Sequence, residues 1–128
     1  IFIEANYDET LIQNDERRPW SLKQRIASRH GHLSNRQAAE LVASIASEGV
    51  LERAVLAHLS EDCNSPEIAK AEMILALSTK GISGVEVICA KRDQISGPFI
   101  VECSDEEGTQ FHEGGGEGYS QSEFTLFD

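Results

Sequence analysis

Among the side chains of this 128-residue chain, its histidines, His30, His32, His58 and His112, are the best suited to chemistry near neutral pH. Two of them open nearly the same phrase: His32 begins His-Leu-Ser-Asn and His58 begins His-Leu-Ser-Glu, 26 residues apart. Neutral imidazole is the commonest metal ligand and a good proton carrier for phosphoryl chemistry. A histidine at an element junction can equally serve local hydrogen bonding, and spacing alone leaves both readings open. Glu4, Asn6 and Asp8 cluster just beyond the first apolar run, where they suit either metal and substrate binding or the polarity of a helix start. His30-Gly31-His32 is a His-x-His pair. The dinuclear pattern HxHxDH would need Asp and His where Ser34 and Asn35 stand, so His30 is not read as a ligand. Ser34, Asn64 and Ser65 suit helix N-caps. Cys63 has no activating neighbour in the sequence, which argues against a nucleophile.

The elements around these residues follow from periodicity. Residues 1–5 are a short apolar run that suits a buried strand end. Residues 8–14 suit a short helix with Leu11 and Ile12 inward. Pro19 punctuates, and residues 21–29 place Leu22 and Ile26 at helical spacing against a basic face. Ser34 followed by Gln37 is a capping-box spacing. Ala38, Leu41, Val42 and Ile45 then form a helical stripe, with Gly49 as its stop. Residues 53–57 read as a buried strand. Pro66 behind Ser65 starts a helix with Ile68, Met73, Ile74 and Leu77 as its apolar positions. Residues 84–90 read as a β-branched strand, and 99–102 as a further short one. Strand 53–57, helix 66–79 and strand 84–90 make a crossover of the βαβ kind, which argues for an α/β fold.

The net charge of -11 is unevenly spread. Residues 103–128 carry seven acids and no Lys or Arg, leaving 15 acids against 11 bases in residues 1–102. Residues 17–36 hold six bases and no acid, a segment that suits either phosphate or solvent. The Gly-rich acidic stretch 103–128 is expected to be a disordered tail beyond a single domain of residues 1–102. Three widely spaced cysteines suit reduced, cytoplasmic thiols rather than a disulfide scaffold. No apolar run is long enough for a membrane helix, and the N-terminus lacks the pattern of a secretory leader, so no membrane partner is expected.

Four phrases taken in order, IEANYDE, PWSLKQRI, SRHGHLSN and AHLSEDCNSPE, resemble the C-terminal half of metallo-β-lactamase-fold hydrolases, most closely the WalJ/YycJ-like branch. The resemblance covers residues 1–102. It implies half of a four-layer αββα sandwich and a complete enzyme with two divalent metal ions, zinc or manganese. It makes His58 a metal ligand and His32 a catalytic residue facing the phosphoryl group. Ser34, Asn35, Asn6 and Asn64 become substrate-binding. Many relatives have His where this chain has Tyr7, which leaves Tyr7 without an inherited role.

The first metal motif of such enzymes, their third histidine and their bridging aspartate would all precede residue 1. One histidine does not make a catalytic zinc site, which takes three protein ligands and water. The expectation is therefore a chain that works with a missing N-terminal half, covalent or separate. The first strand should be left as a raw sheet edge, giving poor stability alone or pairing with that half or in a homodimer. The expected function is a metal-dependent phosphodiesterase or exonuclease acting on nucleic acid. The alternatives are a hydrolase of a cyclic phosphodiester, lactone or thioester, and an inactive interaction module.

Overall fold

The computed structural model describes residues 1–94 and 98–100. The expected tail 103–128 and the second half of the expected strand 99–102 lie outside the described residues. The elements all belong to one compact unit, Ile1–Arg92. In chain order they are β1 (Phe2–Glu4), α1 (Glu9–Asn14), α2 (Trp20–Ile26), α3 (Asn35–Glu48), β2 (Arg53–Ala57), α4 (Pro66–Thr79) and β3 (Glu86–Cys89). The strands form a parallel sheet in the order β1-β2-β3, so the chain is α/β with two crossovers. None of the described helices is long and apolar enough to cross a membrane.

Alternation assigns the two sheet faces. Ile3, Ala54, Leu56, Val87 and Cys89 pack with Ala38, Ala39, Val42 and Ala43 of α3 and Ala69, Met73 and Leu77 of α4. Both long helices therefore cover the same face, as two crossovers of one hand require. On the other face, register aligns Phe2, Val55 and Ile88 in one row and the Arg53–Glu86 ion pair in the next. That row belongs to neither hydrophobic cluster, and Phe2 is half exposed. Among the described residues β1 pairs only with β2, so it is an edge strand.

Helix starts fall where capping chemistry places them. Ser34 and Gln37 form the full capping box of α3, and Ser65 caps α4 with Pro66 in its first turn. Such a cap contributes about 1 kcal/mol. Inward faces differ from the simple periodic reading. On α3, Leu41 and Ile45 are exposed, and the buried stripe is the narrower Ala38, Ala39, Val42 and Ala43. These small side chains let α3 approach the sheet closely, which a leucine stripe would prevent. Helix α4 is apolar nearly all round, so hydropathy did not choose between Ile74, which is exposed, and Ala69, which is buried. Six-residue α1 buries Ile12 and leaves Leu11 outward, since adjacent helical residues point about 100° apart. Helix α2 ends at Ile26 rather than at 29, because the chain turns back and the His32 N–H donates to the Ile26 carbonyl, 2.8 Å away.

Candidate active site

At the carboxyl ends of β1 and β2 the parallel register sets Glu4 beside Ala57. His58 follows Ala57 directly, and the loop from α2 brings in His32. One carboxylate then organises both rings. His32 Nδ1 lies 2.7 Å and His58 Nδ1 2.6 Å from the same Glu4 oxygen, Oε1. The second oxygen, Oε2, accepts the Leu33 N–H at 2.9 Å. The imidazoles meet edge to face with centroids 5.2 Å apart. Partial burial disfavours the Glu4 charge, but the Leu33 N–H and the two imidazoles outweigh it and hold the carboxyl below its usual range. An ionised carboxylate only accepts, so each Nδ1 donates to Glu4 and the outer nitrogen of each ring, Nε2, is turned away from that contact.

His58 has a left-handed backbone, φ 55°, which is unusual for a residue with a Cβ. Asn6 holds it there: its Nδ2 donates to the His58 carbonyl at 2.7 Å. The Asn6 main chain completes the stitch, donating to the Leu33 carbonyl and accepting from Ser60 N–H, so one residue joins both histidine loops. Asn35 and Asn64 are buried and exchange reciprocal amide hydrogen bonds of 2.8 Å. Asn64 also donates to the carbonyls of Ala5 and Asn6. Ser34 is wholly buried, with its Oγ between the Gln37 N–H and Glu9. The side chains of Ser34, Asn35 and Asn64 are thus engaged within the fold, beneath the histidine pair. Asp8 caps α1, and Tyr7 is buried below α1 with Ile12 and Cys63. His30 is exposed and stands apart from the Glu4 cluster. His112 lies outside the described residues.

Gly31 sets the approach to His32. A Cβ built there would sit 2.0 Å from the Ile26 carbonyl oxygen and 2.4 Å from that of Arg25, both backbone atoms. Backbone at that distance does not give way as a flexible side chain would. Gly31→Ala is expected to displace the loop, separate His32 from Glu4, and destabilise the fold by about 1–3 kcal/mol. Urea unfolding and the His32 imidazole NMR signals check this.

A second polar network ties the loop after α1 to the loop after β2. Arg17 and Arg18 both pair with Asp15 and with Asp62, at 2.8 Å for Arg18 Nη2 and 3.0 Å for Arg17 Nη2 to Asp62. Desolvation works against the Asp15 charge, yet the Arg17 N–H and the two guanidiniums hold its carboxyl down to about 2. Cys63 is buried beside this network, and burial pushes its thiol up, away from thiolate reactivity. A depressed folded-state value means that Asp15 contributes stability fully above the ordinary carboxylate range, and that this is lost as pH falls from about 4 through about 2. Asp15→Asn is therefore expected to lower stability at pH 7 while differing little from the parent near pH 2. Urea midpoints at the two pH values measure it.

The strongest site signal missed in the sequence is Glu4 as the shared partner of both histidines. It stood there only as one of three polar residues. Its place at the end of the first apolar run, two residues before Asn6, is the local hint, but the pairing that matters is long-range.

The chain is similar to known proteins over part of its length. It is 37% identical over 78 residues, 61% of its length, to a Bacillus anthracis protein named exodeoxyribonuclease YycJ, and spans 29% of that protein. It is 40% identical over 77 residues, 59% of its length, to exodeoxyribonuclease WalJ of Streptococcus pneumoniae serotype 2, and spans 28% of that protein. This chain is similar to the YycJ and WalJ exodeoxyribonucleases. The similarity agrees with the resemblance carried by the sequence phrases, and it covers under a third of each relative's length. No protein-family model and no solved structure matches the chain.

Proposed function

We propose that this chain is the C-terminal half of a metal-dependent phosphodiesterase of the metallo-β-lactamase fold, acting as an exonuclease on nucleic acid. The observation that carries the reading is the single Glu4 oxygen shared by His32 and His58. It fixes both rings by Nδ1 and leaves two Nε2 atoms free at the carboxyl ends of parallel strands, where α/β folds gather ligands.

The donor set suits a divalent metal. Ligand atoms of Glu4, His32 and His58 all lie within 4.8 Å of one another. A carboxylate behind a histidine is the usual support for a metal-bound imidazole. His58 would hold the metal through Nε2, and the remaining ligands would come from the missing half. A bound pair of zinc or manganese ions would supply an activated water and a clamp on the diester. His32, held by the same carboxylate, would carry a proton or hydrogen bond to the phosphoryl oxygens.

The sheet supports the architecture. The apolar row Phe2–Val55–Ile88 lies on the face opposite α3 and α4, and the free edge of β1 borders it. A sheet with one helix-covered face and one apolar face suits a second sheet packed against the latter, as in an αββα sandwich. The basic segment supports a polyanion substrate more selectively than composition implied. Arg17, Arg18 and Arg36 pair with acids, whereas Lys23, Arg25 and Arg29 have no acidic partner among the described residues.

The test is hydrolysis by the complete gene product of an end-labelled oligodeoxynucleotide, beside a cyclic nucleotide, a lactone and a thioester. The proposal expects the oligonucleotide to be consumed from one end and binding to weaken steeply with salt. Preferential turnover of a small uncharged ester overturns it in favour of a small-molecule hydrolase. No turnover of any of them leaves an assembly module.

A further inference from the structure

A groove of about 310 Å³ runs between α1, α2 and the start of α3. It is separate from the Glu4–His32–His58 cluster but grows from the same two segments. Its wall on α2 is one helical face, with Trp20, Lys23 and Gln24 in sequence; Arg36 and Gln37 of α3 stand opposite, above buried Tyr7. Helix α2 buries none of its residues, and Trp20 is 67% exposed. A flat indole left that open beside a cation is the arrangement on which unpaired bases stack.

The other groups fit a base better than they fit a peptide or lipid. Gln24 offers a donor and an acceptor, which match a base edge, and Gln37, whose Oε1 accepts the Ser34 N–H, adds its amide N–H as a donor. Lys23 donates to the Gln13 carbonyl at 2.8 Å and has no acidic partner among the described residues. The groove's carboxylate, Glu9, is matched by Arg36 at 2.9 Å and by the Ser34 hydroxyl at 3.0 Å, so it does not repel a phosphate as a bare charge would. The volume is at the small end of ligand sites, about right for one nucleotide.

Position links the groove to the histidines. Tyr7 lies three residues past Glu4, at most roughly 10 Å of chain. Stacked nucleotides rise about 3.4 Å each along a strand. A base in the groove would therefore lie a few nucleotides from the bond facing His32.

We propose that the Trp20 groove is a nucleobase subsite that holds an unpaired base of a single-stranded substrate by stacking on the indole, with Lys23 beside its phosphate. This rests on the nucleic-acid reading above and names where the strand is gripped. The experiment measures binding of a short fluorescein-labelled oligodeoxynucleotide by anisotropy, without added metal, to the complete protein and to its Trp20→Ala and Trp20→Phe variants. Emission from Trp20, the one tryptophan of this chain, is followed as the difference between the parent and Trp20→Phe. The expected result is binding weakened roughly 5- to 100-fold by Trp20→Ala, as loss of one stacked base implies. Trp20→Phe should keep most of the affinity, and Trp20 emission should be quenched on binding. If the parent binds the oligonucleotide while Trp20→Ala binds equally well and the emission stays unquenched, the subsite is overturned and the nuclease reading stands. If the parent binds no oligonucleotide, both fall. Should Trp20→Ala fail to fold, quenching in the parent decides alone.

Discussion

Replacing His58 with alanine is expected to strip the metal from the protein and abolish phosphodiester cleavage, with the fold intact. His58 is the histidine whose Nε2 stands free at the end of β2 while its Nδ1 is fixed on Glu4. Loss of an outer partner alone typically lowers metal affinity 10–100-fold, so loss of the ligand itself should exceed about 100-fold. Stability should change little, because the His58 side chain is 66% exposed. Its left-handed backbone sharpens the test. His58→Gly relieves that conformation and should match or exceed the parent in stability while holding no more metal than His58→Ala. Metal analysis of the dialysed proteins, with urea unfolding alongside, checks both points. A His58→Ala protein that keeps its full metal content would remove His58 from the ligand set.

His32→Ala is expected to behave differently, keeping the metal and losing rate. His32 shares the Glu4 oxygen, but it arrives from the loop after α2 and is less exposed than His58, at 41% against 66%. In its proposed role of carrying a proton or hydrogen bond to the phosphoryl group, it should account for about 10²–10⁴ in kcat. KM for an oligonucleotide should move much less, since the stacking groove and the free cations of the basic segment are untouched. Loss of metal in His32→Ala equal to that in His58→Ala would make His32 a ligand and overturn the division of labour.

Local signals in the sequence were enough to locate β2, the capping box at Ser34 and the Pro66 helix start, because each depends on residues within one turn or strand. The crossover from β2 through α4 to β3 followed from their order. What local patterns do not carry is which acid meets which base. The segment 17–36 reads as six like charges, yet Arg17 and Arg18 are tied to Asp62, more than forty residues away, and Arg36 to Glu9. Among the described residues, fold closure thus leaves half of the segment's cations, Lys23, Arg25 and Arg29, without an acidic partner. The same holds for the site. The two His-Leu-Ser phrases marked both histidines, but their union through Glu4 needs β1 and β2 in parallel register with Glu4 at Ala57. The amides of Asn35 and Asn64 looked available for substrate in the sequence. In the fold they are buried against each other, because two loops carrying polar backbone must be joined where water is excluded. Inward helix faces were the least legible feature, since alanine is a weak hydropathy signal and a strong packing one.

Anomalous diffraction gives the sharpest check on the proposal that Glu4 presents His58 to a metal. Crystals of the complete protein grown with zinc or manganese would be measured at the absorption edge of that metal. A peak is expected about 2.0–2.1 Å from His58 Nε2 for zinc, with Nδ1 still on Glu4. A fully loaded, active protein with every metal peak away from His58 would contradict it.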